Sequence, residues 1–171
     1  MDVPHWEGEK RRASLASTWG RQYCGYSTLV LVSTLHQVAL NTKARLGDTG
    51  GTPFNFHIYT TEISSKVMNA AQAMFCLARV DAHVTHILVK ERTDTDALSA
   101  TLWGRGVAKI NFLLLDHIKN RYLSDLRDLE DVGLISKRSC VSVYSLVFNR
   151  LDAYREHLQR LKGRGLVTSR L

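Results

Sequence analysis

The sequence predicts an α+β fold in a single domain. A mixed or antiparallel sheet packs against a central helix, C-terminal helices follow, and a short basic N-terminal arm comes first. Three observations predict it. Five segments carry the alternation or β-branched richness of strands and three carry helical spacing, in the order strand, strand, helix, strand, strand, helix, strand, helix. The 171 residues suit one sizeable core, and 44% apolar with 23% charged residues is ordinary for a globular chain. The charge is also segregated: within a net +7, residues 1–22 carry +1, 23–103 carry 0, 104–149 carry +2 and 150–171 carry +4.

The first 22 residues read as a flexible basic arm, with Lys10, Arg11, Arg12 and Arg21 and no sustained period, ahead of a globular body over 23–171. Ser27 to Leu40 is rich in β-branched residues and predicts a strand buried on both faces, at least in its first half. Asn41 to Pro53, with Gly47, Gly50 and Gly51, predicts a loop. Phe54 to Thr60 alternates like a half-buried strand. Ile63, Val67, Ala70, Met74 and Leu77 recur at helical spacing, and Thr60 or Thr61 can cap that central helix. Cys76 falls in this stripe and is expected in the core. His83 to Glu91 predicts a strand, and the polar stretch after it a loop or short helical turn.

Trp103 to Asn120 alternates through Ala108, Ile110, Phe112 and Leu114, which favours a strand up to Leu114; a helix starting near Leu113 is the alternative. Tyr122, Leu126 and Leu129 then mark a helix. Asn120 or Ser124 can cap it and Gly133 ends it. Ser142 to Phe148 predicts the last strand, and Leu151, Tyr154, Leu158 and Leu161 the last helix, stopped by Gly163.

Little in the sequence points to chemistry. The Gly47–Gly51 stretch lacks the Lys-Ser/Thr ending of a phosphate loop. As Asp-Thr-Gly it lacks the second carboxylate an aspartic protease needs. His83 and His86 on a strand point to opposite faces, and His36, His57, His117 and His157 are isolated along the chain. No zinc-type spacing occurs, so no metal, no cofactor and no enzymatic activity are expected. Three odd, scattered cysteines fit free thiols in a reducing compartment.

The excess of positive charge at the ends favours polyanions: nucleic acid or an anionic membrane face. One unit recurs. Leu126 to Arg138 and Leu158 to Arg170 share an amphipathic helix, a glycine stop, a leucine and then basic residues. Its first copy is similar to a winged helix, the alternative reading, in which Lys137 and Arg138 touch phosphates. Against it, Asp125, Asp128, Glu130 and Asp131 on the reading helix would be repelled by DNA.

The stretch Leu113 to Val147, "LLLDHIKNRYLSDLRDLEDVGLISKRSCVSVYSLV", resembles the C-terminal part of rhabdovirus matrix proteins, with an Asp-His pair, an aromatic-started helix, a "GLI" stop, basic residues and a last strand in that order. With two prolines in all, the chain lacks the proline-tyrosine budding motif of animal members and looks more like plant-infecting ones. The resemblance implies a structural protein, not an enzyme. Such a protein condenses the viral nucleoprotein–RNA complex, links it to the anionic inner membrane and a glycoprotein tail, and self-assembles in the virion. Beneath the envelope, in host cytoplasm, at peripheral membrane and in the nucleus are the places it implies. On that reading the polyanion-binding residues are Lys10, Arg11, Arg12, Arg21, Lys137, Arg138, Arg160, Lys162, Arg164 and Arg170, each contributing about 1 kcal/mol near an anionic surface.

Overall fold

The computed structural model describes residues 12–18, 25–46, 55–89, 95–117, 119–137, 139–143 and 151–163, with 12–18, 46 and 55 as backbone. Strands and helices alternate: β1 (Arg12–Thr18), α1 (Tyr26–Leu46), β2 (Asn55–Glu62), α2 (Ser65–Leu77), β3 (Val84–Leu88), α3 (Thr95–Gly104), β4 (Phe112–Leu115), α4 (Tyr122–Asp131), β5 (Cys140–Val143) and α5 (Asp152–Gly163). The five strands form one sheet in the order β3-β2-β1-β4-β5. Helices and strands share one small domain, as expected. The strand directions differ from expectation: all four pairings are parallel. A helix between successive strands returns the chain to the end it started from, so each new strand enters in the same direction.

Two apolar clusters hold the layers. Val32 of α1 and Ala71 and Phe75 of α2 pack with Phe56, Ile58 and Val84. Leu98 and Leu102 of α3, Tyr122, Leu126 and Leu129 of α4, and Tyr154 of α5 pack with Tyr59, Ile87, Leu113 and Leu115. Neighbours along a strand belong to different clusters, so α1 and α2 cover one face of the sheet and α3, α4 and α5 the other. Each fully buried Leu, Ile or Phe stabilises the fold by roughly 1.5–3 kcal/mol.

Two expectations fail in the first third of the chain. Residues 12–18 are not arm but the middle strand, hydrogen-bonded to β2 on one side and β4 on the other. Ser27 to Leu40 is not a strand but most of α1. Its β-branched residues weaken a helix by only a few tenths of a kcal/mol each. Thr28 and Val32, one turn apart, are buried, and Leu29 and Leu35 pack beside them, so burial at helical spacing decides. Thr34 Oγ1 donates to Val30 O at 2.8 Å, which satisfies a hydroxyl inside the helix. α1 also takes in 41–46, the start of the expected loop; the rest of that loop, 47–53, lies outside the described residues.

The central helix is present but rotated. Its buried face is Ala71 and Phe75, while Met74, Leu77, Ile63 and Cys76 are exposed. Ser64, not Thr60 or Thr61, caps it by accepting from Val67 N. The polar stretch after β3 contains a ten-residue helix, α3. β5 starts two residues before the expected strand, and 144–150 lie outside the described residues. Its described part pairs parallel with β4 rather than turning back as a wing, which removes the winged-helix alternative.

Candidate ligand crevice at the carboxyl ends of the strands

Parallel register brings the carboxyl ends of the strands together. Thr18 at the end of β1 lies opposite Leu115 at the end of β4, and Leu115 opposite Val143 at the end of β5. Ser17 pairs with Thr60, so Glu62 and Asp116 each project past the β1 end from the two strands that flank it. At about 4.8 Å per strand, the two backbones stand about 10 Å apart. Strand order reverses here: from β1 the chain steps outward through β2 to β3, then crosses to β4 and β5. In an open parallel sheet, ligands bind outside the carboxyl ends at such a switch point.

Glu62 is buried at 3% exposure. Its Oε1 accepts from the backbone N–H of Ile63 at 2.8 Å and of Ser64 at 3.0 Å. Its own carbonyl accepts from Val89 N, which ties the end of β2 to the segment after β3. A carboxylate has about four acceptor positions, so the group can hold these amides and still face a ligand hydroxyl.

On the other side of the switch point, Asp116 and His117 leave the end of β4. His117 Nε2 donates to Asp125 Oδ2 at 2.7 Å, with side-chain exposures of 4% and 1%. Arg121 adds a second hydrogen bond to Asp125 Oδ1 at 3.3 Å. The His117 ring meets the Tyr122 ring edge-on. Burial raises the Tyr122 hydroxyl above its ordinary pKa, a hydrogen bond with the His117 main chain opposes this, and the Asp116 charge adds to it. Tyr154, packed against Tyr122, is raised by burial and by Glu130 and Tyr122. His117 thus rests on Tyr122, which in turn packs on Tyr154, and both tyrosines are buried.

α1 opens at Gly25, whose φ of +78° only glycine adopts freely; a Cβ there would lie 2.6 Å from the Phe75 ring. No acidic residue occupies the first turn of α1, so its amide end stays favourable to anions. Residues 19–24, between β1 and this helix, lie outside the described residues.

Of the predicted polyanion-binding residues, Lys137, Arg160 and Lys162 are exposed. Arg12 is described as backbone only. Lys10, Arg11, Arg21, Arg138, Arg164 and Arg170 lie outside the described residues. α4 and α5 run in the same direction, since Tyr154 meets Tyr122 while His157 reaches Glu130 at 3.3 Å. The last turn of α5, with Arg160 and Lys162, therefore lies beside the exit of α4 and Lys137, where β5 begins. The three described cations gather at the amino end of the sheet, opposite the crevice.

The histidines expected to be isolated have partners. Nε2 of His36 and Nε2 of His83 are 3.3 Å apart, and His57 Nε2 is 2.8 Å from Thr85 Oγ1. His83 and His86 lie on one face of the sheet, not two: His83 sits in a turn ahead of β3 and stacks on Phe56, while His86 stacks on Phe75. Sequence reasoning passed over Glu62 and the His117–Asp125 pair. For Glu62 the signal was an acidic residue at the end of a strand just before a helix. For the pair it was eight residues of spacing across a turn, which becomes visible only once β4 and α4 are placed.

No protein-family model matches the chain, and no curated protein sequence does. Among solved structures, the SAH-bound methyltransferase PaMTH1 of Podospora anserina is similar, with a TM-score of 0.55 and 17% sequence identity over 90% of this chain and 62% of that one. The chain spans less than two thirds of the length of that protein. The likeness shows the fold, and it is a fold found in an enzyme.

Proposed function

We propose that the crevice binds S-adenosylmethionine and that the protein is a methyltransferase. The observation that carries this reading is Glu62, a buried carboxylate fixed by two backbone amides at the end of the strand next to β1. In parallel sheets of this order, an acidic residue there accepts from ribose hydroxyls. The fold of an SAH-bound methyltransferase supports it, because SAH is what remains once the methyl has left.

The residues present fit such a ligand. Glu62 would hold the ribose, and the amide end of α1 would face the carboxylate of the amino-acid tail. When bound, the ligand supplies an electrophilic methyl on a sulfonium. The chain supplies the rest. Asp116, half-buried past the end of β4, stands where it can take the proton of an acceptor hydroxyl. His117, held by Asp125, shapes the wall beside it. Tyr122 and Tyr154 close the floor against water.

Isothermal titration of the full chain with SAH tests the reading. Binding is expected, and Glu62→Gln, which keeps an acceptor for the two amides, is expected to weaken it about tenfold, or ~1.4 kcal/mol. No binding at about 1 mM SAH would overturn the reading.

The second reading, a self-assembling matrix protein, rests on the Leu113–Val147 resemblance and on one observation: Lys137, Arg160 and Lys162 are all exposed at one end of the molecule. It expects co-sedimentation with anionic liposomes that falls as salt rises, and concentration-dependent assembly.

A further inference from the structure

We infer that the outward face of α1 is a dimer interface, on which a second copy of this chain lays its own α1 antiparallel about a two-fold axis. Residues 26–42 contain no Asp, Glu, Lys or Arg, in a chain of which 23% is charged. The inward side of α1 is occupied: Thr28 and Val32 are buried, and Leu29 and Leu35 pack beside them. The outward side is uncharged as well. Tyr26, Val30, Ser33, Gln37, Leu40 and Ala44 are all exposed, Tyr26 at 72% and Leu40 at 60%. A helix with no charged face is built for cover on both sides. α2, on the same face of the sheet, extends the surface: 67–78 are uncharged, and Met74 and Leu77 are exposed. The opposite layer differs, with Arg127, Asp131, Asp152 and Glu156 exposed on α4 and α5. Depletion of charge is what marks the centre of an interface.

The six exposed residues follow at alternating steps of four and three, the seam with which one helix packs along another. Their order identifies the occupant. Turned end over end about the level of residue 35, the seam sets Tyr26 on the partner's Ala44, Val30 on the partner's Leu40 and Ser33 on the partner's Gln37. The largest side chain meets the smallest, the two aliphatic ones meet each other, and hydroxyl meets amide. Every pair occurs twice, which is the self-complementarity that an isologous contact requires. A membrane or nucleic acid would need cations on this face, and it has none along the seam. Two copies that each carry +7 repel, so they meet where no like charges stand opposite one another. The contact closes at two copies, unlike the open array of the matrix reading. Because α1 starts at the crevice, the two crevices open at opposite ends of the pair.

Sedimentation equilibrium of the full chain over a range of concentration and salt tests this. A species of twice the 19.3 kDa chain mass is expected at about 100 μM chain. Salt screens the repulsion between the copies, so the dimer is expected to tighten as salt rises, opposite in sign to polyanion binding. Val30→Glu and Leu40→Lys are each expected to weaken the dimer at least about tenfold, because each sets a charge against an aliphatic side chain in the seam. Both positions are exposed in the single chain, so its melting temperature at monomeric concentration is expected to hold. The double variant sets the introduced glutamate of one copy against the introduced lysine of the other, and recovery to within about threefold of the unmodified chain is expected. A chain still monomeric at about 1 mM would overturn the proposal. A dimer that neither single variant weakens, or one that the double variant fails to restore, would do the same, as would assembly that continues past two copies. A drop in the melting temperature of the monomeric single variants would also overturn it, by assigning the cover of α1 to another segment of the same chain.

Discussion

Gly25 shows how one residue fixes an element. It is the last residue before α1, at φ +78°, with its missing Cβ facing Phe75 Cε1 at 2.6 Å and Ala71 Cβ at 3.3 Å. Gly25→Ala adds both a left-handed backbone cost of about 1–2 kcal/mol and an overpacking cost of about 1–3 kcal/mol. A loss of ~3 kcal/mol in urea unfolding is the expected outcome, and a loss below ~1 kcal/mol would mean that α1 can shift off α2. His86 makes a different contribution. Its ring stacks on Phe75 at 5.0 Å, and among the described residues neither ring nitrogen has a hydrogen-bond partner. Burial lowers its pKa below 6.5, with Glu62 pulling the other way. The unfolded chain therefore takes up this proton first as pH falls. The stability due to neutral His86 is complete above 6.5 and declines as pH drops from there to the lowered folded value, below which it is flat. Chemical denaturation at a series of pH values is expected to show that decline, and His86→Leu is expected to flatten it and to spare two buried, unpaired nitrogens.

At the scale of elements, three of the helices end in the same way. After α4, Gly133 stands at φ +74°, its N–H donates to Glu130 O, and Leu134 N–H donates to Leu129 O while its buried side chain folds back onto the core. α3 repeats this with Gly106 and Val107, whose N–H donates to Leu102 O. α2 repeats it with Arg79 and Val80, whose N–H donates to Phe75 O. The recurring helix, stop and apolar residue seen in the sequence is thus the general exit of a helix into the next strand, and basic residues after it are not required. The α2 copy is the imperfect one, because Arg79 holds φ +55° without being glycine. Arg79→Gly relieves a left-handed cost of about 1–2 kcal/mol and adds unfolded-state entropy of about 0.5–1 kcal/mol. A net gain of roughly 0.5–1 kcal/mol is expected in equilibrium unfolding, and a loss would show that the Arg79 side chain holds more than its backbone costs. These exits also mark what was legible. Gly133, the Tyr122–Leu126–Leu129 face and the strand alternation of β2 could be read locally, since each rests on neighbours within one turn or one strand. The helical nature of α1 and the phase of α2 could not. Both are set by Val32 of α1 and Phe75 of α2 meeting Phe56 and Ile58 on one face of the sheet, a contact that no local period reports.

For the whole molecule, the decisive property is that the two ends of the sheet differ. The carboxyl end carries Glu62, Asp116 and the buried His117–Asp125 pair; the amino end carries exposed Lys137, Arg160 and Lys162. The segregation of charge was legible as numbers along the chain. The crevice was not, because it forms only when parallel strands bring the ends of β1, β2 and β4 side by side, and strand direction is not written in hydrophobic period. Separation of the two ends makes the two functional readings separable. Replacing Lys137, Arg160 and Lys162 together by glutamate lowers the net charge by six, from +7 to about +1. The crevice stands at the far end of the strands, beyond a Debye length of about 8 Å at physiological salt, so these charges act on it only weakly. SAH affinity is therefore expected to change less than about twofold, while binding to anionic liposomes or to RNA falls steeply and loses much of its salt dependence. If SAH affinity falls together with polyanion binding, the basic end is part of the ligand site and the crevice has been placed at the wrong end of the sheet. If neither moves, the exposed cations are a solvated surface, and the matrix reading loses the observation that supports it.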